Sequence, residues 1–217
     1  MVAGPPVGEA TAGRAEWTGA EAEEGESPNR ARGRHVLSVY FVCTGNICRS
    51  PMAEVVMRQM AGAMPLPDGT MLSDHLEVSS AGTGGWHAGE PMDSRARLAL
   101  ERRGHHDHGH RAQAVDGRHL AQAEWVVCLD QGHRSALATR VVPSERLVLL
   151  RSFGPAADGG LDVPDPYYGD QRDFEACLDL IEDACRGLAD EVAARVRHRP
   201  GARPIPHGEQ NQAGGPQ

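Results

Sequence analysis

A cysteine and an arginine separated by five residues frame the segment of this chain best suited to chemistry: Cys43-Thr44-Gly45-Asn46-Ile47-Cys48-Arg49-Ser50. An apolar run, HVLSVYFV (35–42), precedes it and reads as a buried strand. Ser50-Pro51 follows and reads as a helix start, with Ser as N-cap and Pro at the first helical position. A loop between a strand and a helix can turn its N–H groups inward as an anion nest, and the helix N-terminus adds partial positive charge. Arg49 supplies a planar fork that grips two oxygens of a phosphoryl group. At the base of such a cradle the positive field favours a thiolate. Cys43 would then be a nucleophile aimed at phosphorus. Spacing alone is weak evidence, because a Cys and an Arg fall at this interval by chance; the flanking strand and helix, with permissive Gly45 and Asn46, give it force.

Displacing an oxygen leaving group from phosphorus calls for an acid to protonate that oxygen. Four carboxylates lie close together far down the chain: Asp158, Asp162, Asp165 and Asp170. Asp165 alone precedes Pro166, which stiffens the backbone, and then two aromatics, Tyr167 and Tyr168, able to stack on a ring. The residues favour Asp165 and leave the others open.

These groups need a scaffold. After the first strand, helical spacing begins at Ser50-Pro51 with Met52, Val55, Val56 and Met60. LEVSS (76–80) reads as a second strand, Pro91 to Arg103 as a helix stopped by Gly104, and WVVCL (125–129) as a third strand. His133 to Arg140 reads as a short helix and RLVLL (146–150) as a fourth strand. Phe174, Leu178, Ile181, Cys185, Leu188, Val192 and Val196 step by helical spacing and lay one apolar stripe along about 170–197, with Gly187 a possible bend. Strands alternating with helices imply an α/β fold: a four-stranded parallel sheet with helices on both faces, in three layers. Ligands in such sheets bind beyond the C-terminal ends of the strands, which is where Cys43 falls.

Composition bounds the rest. The 217 residues suit one domain with tails. Residues 1–34 and 198–217 are acidic or rich in Pro, Gly and Gln without periodicity, so both are expected to be disordered tails around a domain at 35–197. A net charge of −8 argues against a nucleic-acid partner. All 22 cationic residues are Arg, which fits coding bias better than chemistry. No window of 18 apolar residues suits a membrane span, and the first 30 residues lack the apolar core of a secretory signal. Five cysteines are an odd number without framework spacing, so a reducing cytoplasm is expected. The run His105-His106-Asp107-His108-Gly109-His110 lacks a second ligand cluster and is expected to be a solvated loop rather than a metal site.

The stretch VYFVCTGNICRSPMAE (39–54) resembles the signature of low-molecular-weight protein tyrosine phosphatases. SSAGTGGWHAGEPMDSRA (79–96) and DPYYGD (165–170) resemble that family's other landmarks in the same order, and the likeness is greatest to its actinobacterial members. The resemblance covers about 36–196. It implies Cys43 as nucleophile, Arg49 as phosphate clamp and Asp165 as general acid, with Thr44, Gly45, Asn46, Ile47, Cys48 and Ser50 completing the phosphate-binding loop. It further implies that Ser50 hydrogen-bonds the thiolate, that Asn46 is left-handed and supported by Ser80 and His110, and that Trp86, Tyr167 and Tyr168 wall a phosphotyrosine slot. It makes Cys48 the partner of Cys43 in a reversible disulfide under oxidation. No cofactor or metal is implied. The expected partners are phosphotyrosine-containing proteins, and the expected state is a monomer. Arsenate reductases share the loop but need a further cysteine pair, and here Cys177 and Cys185 sit on the last helix in the wrong region. Arginine phosphatases carry Thr where this chain has Ile47. A non-catalytic phosphopeptide binder would have lost Cys43, Arg49 or Asp165, and all three are present.

Overall fold

The computed structural model describes residues 36–140, 142–155 and 160–198. Asp158 and the two expected tails, apart from His198, lie outside the described residues.

β1 (Leu37–Cys43) is built from residues buried on both faces. Leu37, Val39, Phe41 and Cys43 join one apolar cluster, while Tyr40 and Val42 join the other. That alternation is the two-residue period of a strand covered on both sides. β1 pairs in parallel with β2 (Leu76–Gly82) and with β3 (Trp125–Cys128), and β3 pairs with β4 (Leu147–Leu149). The strand order is β2-β1-β3-β4, so the chain leaves β1 first to one side and later to the other. The C-terminal end of β1 is therefore the switch point of the sheet, where a crevice opens between diverging connections.

The first cluster joins β1 to α1 (Arg49–Ala63), α2 (Ser94–Arg102) and α5 (Gln171–Arg197). The second includes Leu120 of α3 (Gly117–Gln122) and Leu137 of α4 (Gln131–Ala138). Helices thus cover both faces, as expected.

Several boundaries differ from the sequence reading, each for a local reason. α1 starts at Arg49 and its cap is Cys48 without a side-chain bond, so Ser50 does not act as a cap; its hydroxyl turns inward to the site instead. α2 starts at Ser94, not Pro91, because the Asp93 carboxylate accepts from Arg95 N at 2.8 Å. Gly104 does end it, in a left-handed turn at φ 75°. α4 begins two residues before His133, with Asp130 accepting from His133 N at 2.8 Å, and stops before Arg140. α3 had no sequence counterpart: it has six residues and opens on a glycine, and its order comes from Asp116 capping Arg118 N and His119 N. β2 runs two residues beyond LEVSS, and Leu150 leaves β4 for a 3₁₀ turn. Gly187 does not interrupt α5. A Cβ there would lie 1.9 Å from the carbonyl oxygen of Phe153, so the glycine lets a turn pack against the helix backbone.

Candidate active site

Residues 43–50 wrap the C-terminal end of β1, and nearly every polar atom beneath them is paired. Asn46 is fully buried and is the one described non-glycine residue with positive φ, at 57°. Asn tolerates that conformation because its short side chain bonds locally. Its amide nitrogen donates to Ser50 Oγ at 2.9 Å and to Ser80 Oγ at 2.8 Å. Its side-chain oxygen accepts from Gln113 N at 2.9 Å, and its carbonyl accepts from His110 Nε2 at 2.8 Å, which fixes that ring's tautomer. Ser80 Oγ donates in turn to Glu54, a buried carboxylate paired with Arg58 at 2.7 Å. The backbone is over-determined, which is how such a conformation persists.

Cys43 Sγ lies 3.0 Å from Ser50 Oγ. That hydroxyl already accepts from Asn46, so its single proton is shared between the sulfur and the Ala81 carbonyl at 3.3 Å. With sulfur as the thiolate, Ser50 can donate to it. The backbone after β2 presses on the cradle: Thr83 N donates to Cys43 O at 2.8 Å and Gly84 N to Thr44 O at 3.0 Å. A Cβ at Gly82 would come within 2.7 Å of Thr44 O, so glycine is required for this approach.

Arg49 is only 3 % exposed. Nη1 donates to Asp130 at 2.7 Å and to the Val163 carbonyl at 3.2 Å; Nη2 donates to Asp165 at 2.8 Å and to Thr44 Oγ1 at 3.4 Å. Burial disfavours its charge, and the surrounding anions more than offset that, raising its pKa. Asp130 shows the same contest. Burial pushes its pKa up, but His133 and Arg49 outweigh burial and hold it well below the carboxylate range. The His133 ring bridges the two sides: Nε2 meets Thr44 Oγ1 at 2.9 Å, and Nδ1 lies 2.9 Å from Asp130 without hydrogen-bond alignment.

A cavity of about 300 Å³ opens over this floor. Cys43, Cys48 and Arg49 line its base, with Asp165, Trp86, Tyr167 and Tyr168 around it. The Trp86 ring lies across Gly84, where a Cβ would stand 1.9 Å from it. Tyr167 and Tyr168 meet edge to face at 5.0 Å, and Tyr168 is 96 % exposed. Asp165 is the carboxylate that faces this cavity, whereas Asp162 accepts from Gln131 N and Asp170 caps α5.

The expected site residues are thus brought together, with Ser80 and His110 beneath Asn46. The histidine run is a loop with His106, His108 and Gly109 exposed, as expected, but it is not solvated throughout, and His105 corrects the sequence reading. His105 is buried between Gln59 Oε1 at 2.7 Å and Glu182 Oε1 at 2.8 Å, and His110 serves the cradle. Among the described residues no group of three or more His, Cys, Asp or Glu is arranged to hold a metal ion. Sequence reasoning missed Asp130, His133, Glu54, Gln113 and His87, whose ring lines the cavity and packs on Gly45. The signal available for Asp130 and His133 was position: they follow the end of a strand next to the switch point.

A sequence model of the family "Low molecular weight phosphotyrosine protein phosphatase" matches residues 38–198. A low molecular weight protein-tyrosine-phosphatase of Streptomyces coelicolor is 45% identical over 170 residues, covering 74% of this chain and 96% of the relative. Among solved structures, YfkJ from Bacillus subtilis superposes with a TM-score of 0.66 at 32% identity, covering 74% of this chain and 96% of that one. The YwlE arginine phosphatase from Geobacillus stearothermophilus gives 0.63 at 27% identity, covering 75% and 97%. Among the described residues no helix is long and apolar enough to cross a membrane.

The depressed pKa of Asp130 makes its pairing a pH-dependent support. Its stabilisation is fully present above the unfolded value of about 4 and is lost as pH falls toward the folded value. Asp130→Asn should therefore lower Tm at neutral pH, and the gap to wild type should narrow as pH drops below about 4. A gap that widens on acidification would contradict the assignment.

Proposed function

This chain belongs to the low molecular weight phosphotyrosine protein phosphatase family, and we propose how its cradle hydrolyses phosphotyrosine. The observation that carries the reading is one guanidinium, Arg49, joined at the floor of one cavity to both the cysteine loop and Asp165. Cys43 attacks phosphorus in line, forming an S–P bond as the P–O bond to the tyrosyl ring breaks. Asp165 gives its proton to the departing phenolate oxygen. Arg49 and the loop N–H groups bear the charge on the equatorial oxygens. A water then attacks the phosphocysteine, Asp165 takes its proton, and phosphate and the thiolate are released.

Nη2 of Arg49 is the nitrogen shared with Asp165, so gripping the phosphoryl group and placing the acid are coupled through one side chain. Trp86, Tyr167 and Tyr168 form walls suited to an aromatic ring, and phosphotyrosine-containing proteins are the partners this slot fits. Ile47 lines the slot where the resemblance puts Thr in an arginine phosphatase. The experiment is turnover of an aryl phosphate beside phosphoarginine hydrolysis and arsenate reduction, with aryl phosphate expected to dominate. Asp165→Asn should slow aryl phosphate hydrolysis by about 10²- to 10⁴-fold, with a smaller loss for very acidic phenols. A larger loss from Asp162→Asn would mean that the acid is misassigned.

Cys48 fits the role of redox partner to Cys43 on the same loop. Its thiol is buried, and burial, then Asp93, raises its pKa, so it would capture a Cys43 sulfenic acid slowly. After mild peroxide, peptide mass spectrometry should find a Cys43–Cys48 link that dithiothreitol reverses. Sulfinic acid at Cys43 as the first stable product would leave Cys48 as packing alone.

A further inference from the structure

Arg95 stands outside the cavity, yet it ties the cradle to the turn that carries Asp165. It sits in the first turn of α2. Its Nε and Nη2 grip the Asp93 carboxylate at 3.1 and 2.8 Å, while Nη1 reaches across to the Gly169 carbonyl at 2.9 Å. The guanidinium lies 4.6 Å from the Phe174 ring centroid and 5.9 Å from that of Tyr167, a wall of the slot. Asp93 in turn donates its backbone N–H to the Ile47 carbonyl at 2.8 Å, inside the cradle. The strut therefore runs from Ile47 through Asp93 and Arg95 to Gly169.

The turn it reaches is compact. Gly169 N donates to Pro166 O at 2.9 Å, and Tyr167 N donates to Asp165 Oδ1 at 3.2 Å. A Cβ at Gly169 would come within 2.1 Å of Asp173, so this backbone is pressed against the start of α5. Gln171 adds a second tie, donating to the Arg95 carbonyl at 3.2 Å. Two arginines thus hold the turn at its two ends. Arg49 holds the Asp165 carboxylate, which must let go to do acid chemistry. Arg95 holds backbone, and nothing in the reaction requires it to release.

We propose that Arg95, carried on Asp93, is the positioning residue that keeps the general acid and the Tyr167 wall in register with the cradle when Arg49 turns to the phosphoryl group. Arg95 touches neither phosphate nor the reacting atoms; it acts through the turn. The inference rests on the phosphatase reading above.

The test compares Arg95→Met and Arg95→Lys with wild type on aryl phosphates of graded leaving-group acidity. For phosphotyrosine, kcat/KM should fall by up to about 10²-fold in Arg95→Met, the scale of a small misplacement of a catalytic group. The loss should shrink as the phenol becomes more acidic, and inhibition by inorganic phosphate should be unchanged. Arg95→Lys keeps the charge without the fork, so it should show the same gradient with a smaller loss. In an Asp165→Asn background either substitution should add little, because both remove one function. An equal loss for every leaving group, weaker phosphate inhibition, full additivity with Asp165→Asn or wild-type kinetics would overturn the proposal. Failure of the phosphatase reading looks different: wild type itself would not turn over, or Cys43→Ser would remain active.

Discussion

A guanidinium that is 3 % exposed and always charged has to be surrounded by acceptors, and the site is organised around meeting that need for Arg49. The acceptors come from three places in the chain: Thr44 in the cradle, Asp130 after β3, and the Val163 carbonyl with Asp165 ahead of α5. Each is fixed by something else. Asp130 caps α4 and pairs with His133, which returns to Thr44. Val163 N donates to the Leu129 carbonyl, seating its segment on the end of the third strand. Placing one cation thus places the connections that form the crevice.

A second constraint lies under the same loop. Turning N–H groups toward a common centre needs a left-handed residue, and Asn46 supplies it with both amide donors and its side-chain oxygen bonded. The bonds end on β2, α1 and the loop before α3, so the cradle is set on the sheet and its first helix. Thiol chemistry is kept separate by burial. Cys128 and Cys177 are pushed up to about 12, chiefly by desolvation, which keeps them as inert thiols in the core.

The sheet was legible because β1 and β3 are short apolar runs and α5 carries an unbroken stripe. Cys43, Arg49 and Asp165 were legible because their types, spacing and neighbours point to one reaction. What escaped was set by distant partners. Asp130 looks like an ordinary loop residue, and His133 like an ordinary first residue of a helix, until Arg49 is seen to need a carboxylate. His105 looks solvated in a run of His and Gly, and only the fold brings Gln59 and Glu182 to it. Arg95 is one arginine among 22, and nothing local marks it as the residue that reaches Gly169.

The central claim is a phosphoryl group carried on Cys43, and it can be trapped. With Asp165→Asn and an aryl phosphate of a very acidic phenol, the first step needs no acid while hydrolysis lacks its base. A rapid denaturing quench at alkaline pH, followed by peptide mass spectrometry, should then find one phosphoryl group on the peptide containing Cys43, and none after Cys43→Ser. Continued turnover with that peptide unmodified, or a phosphoryl group on another residue such as His87, would contradict the account.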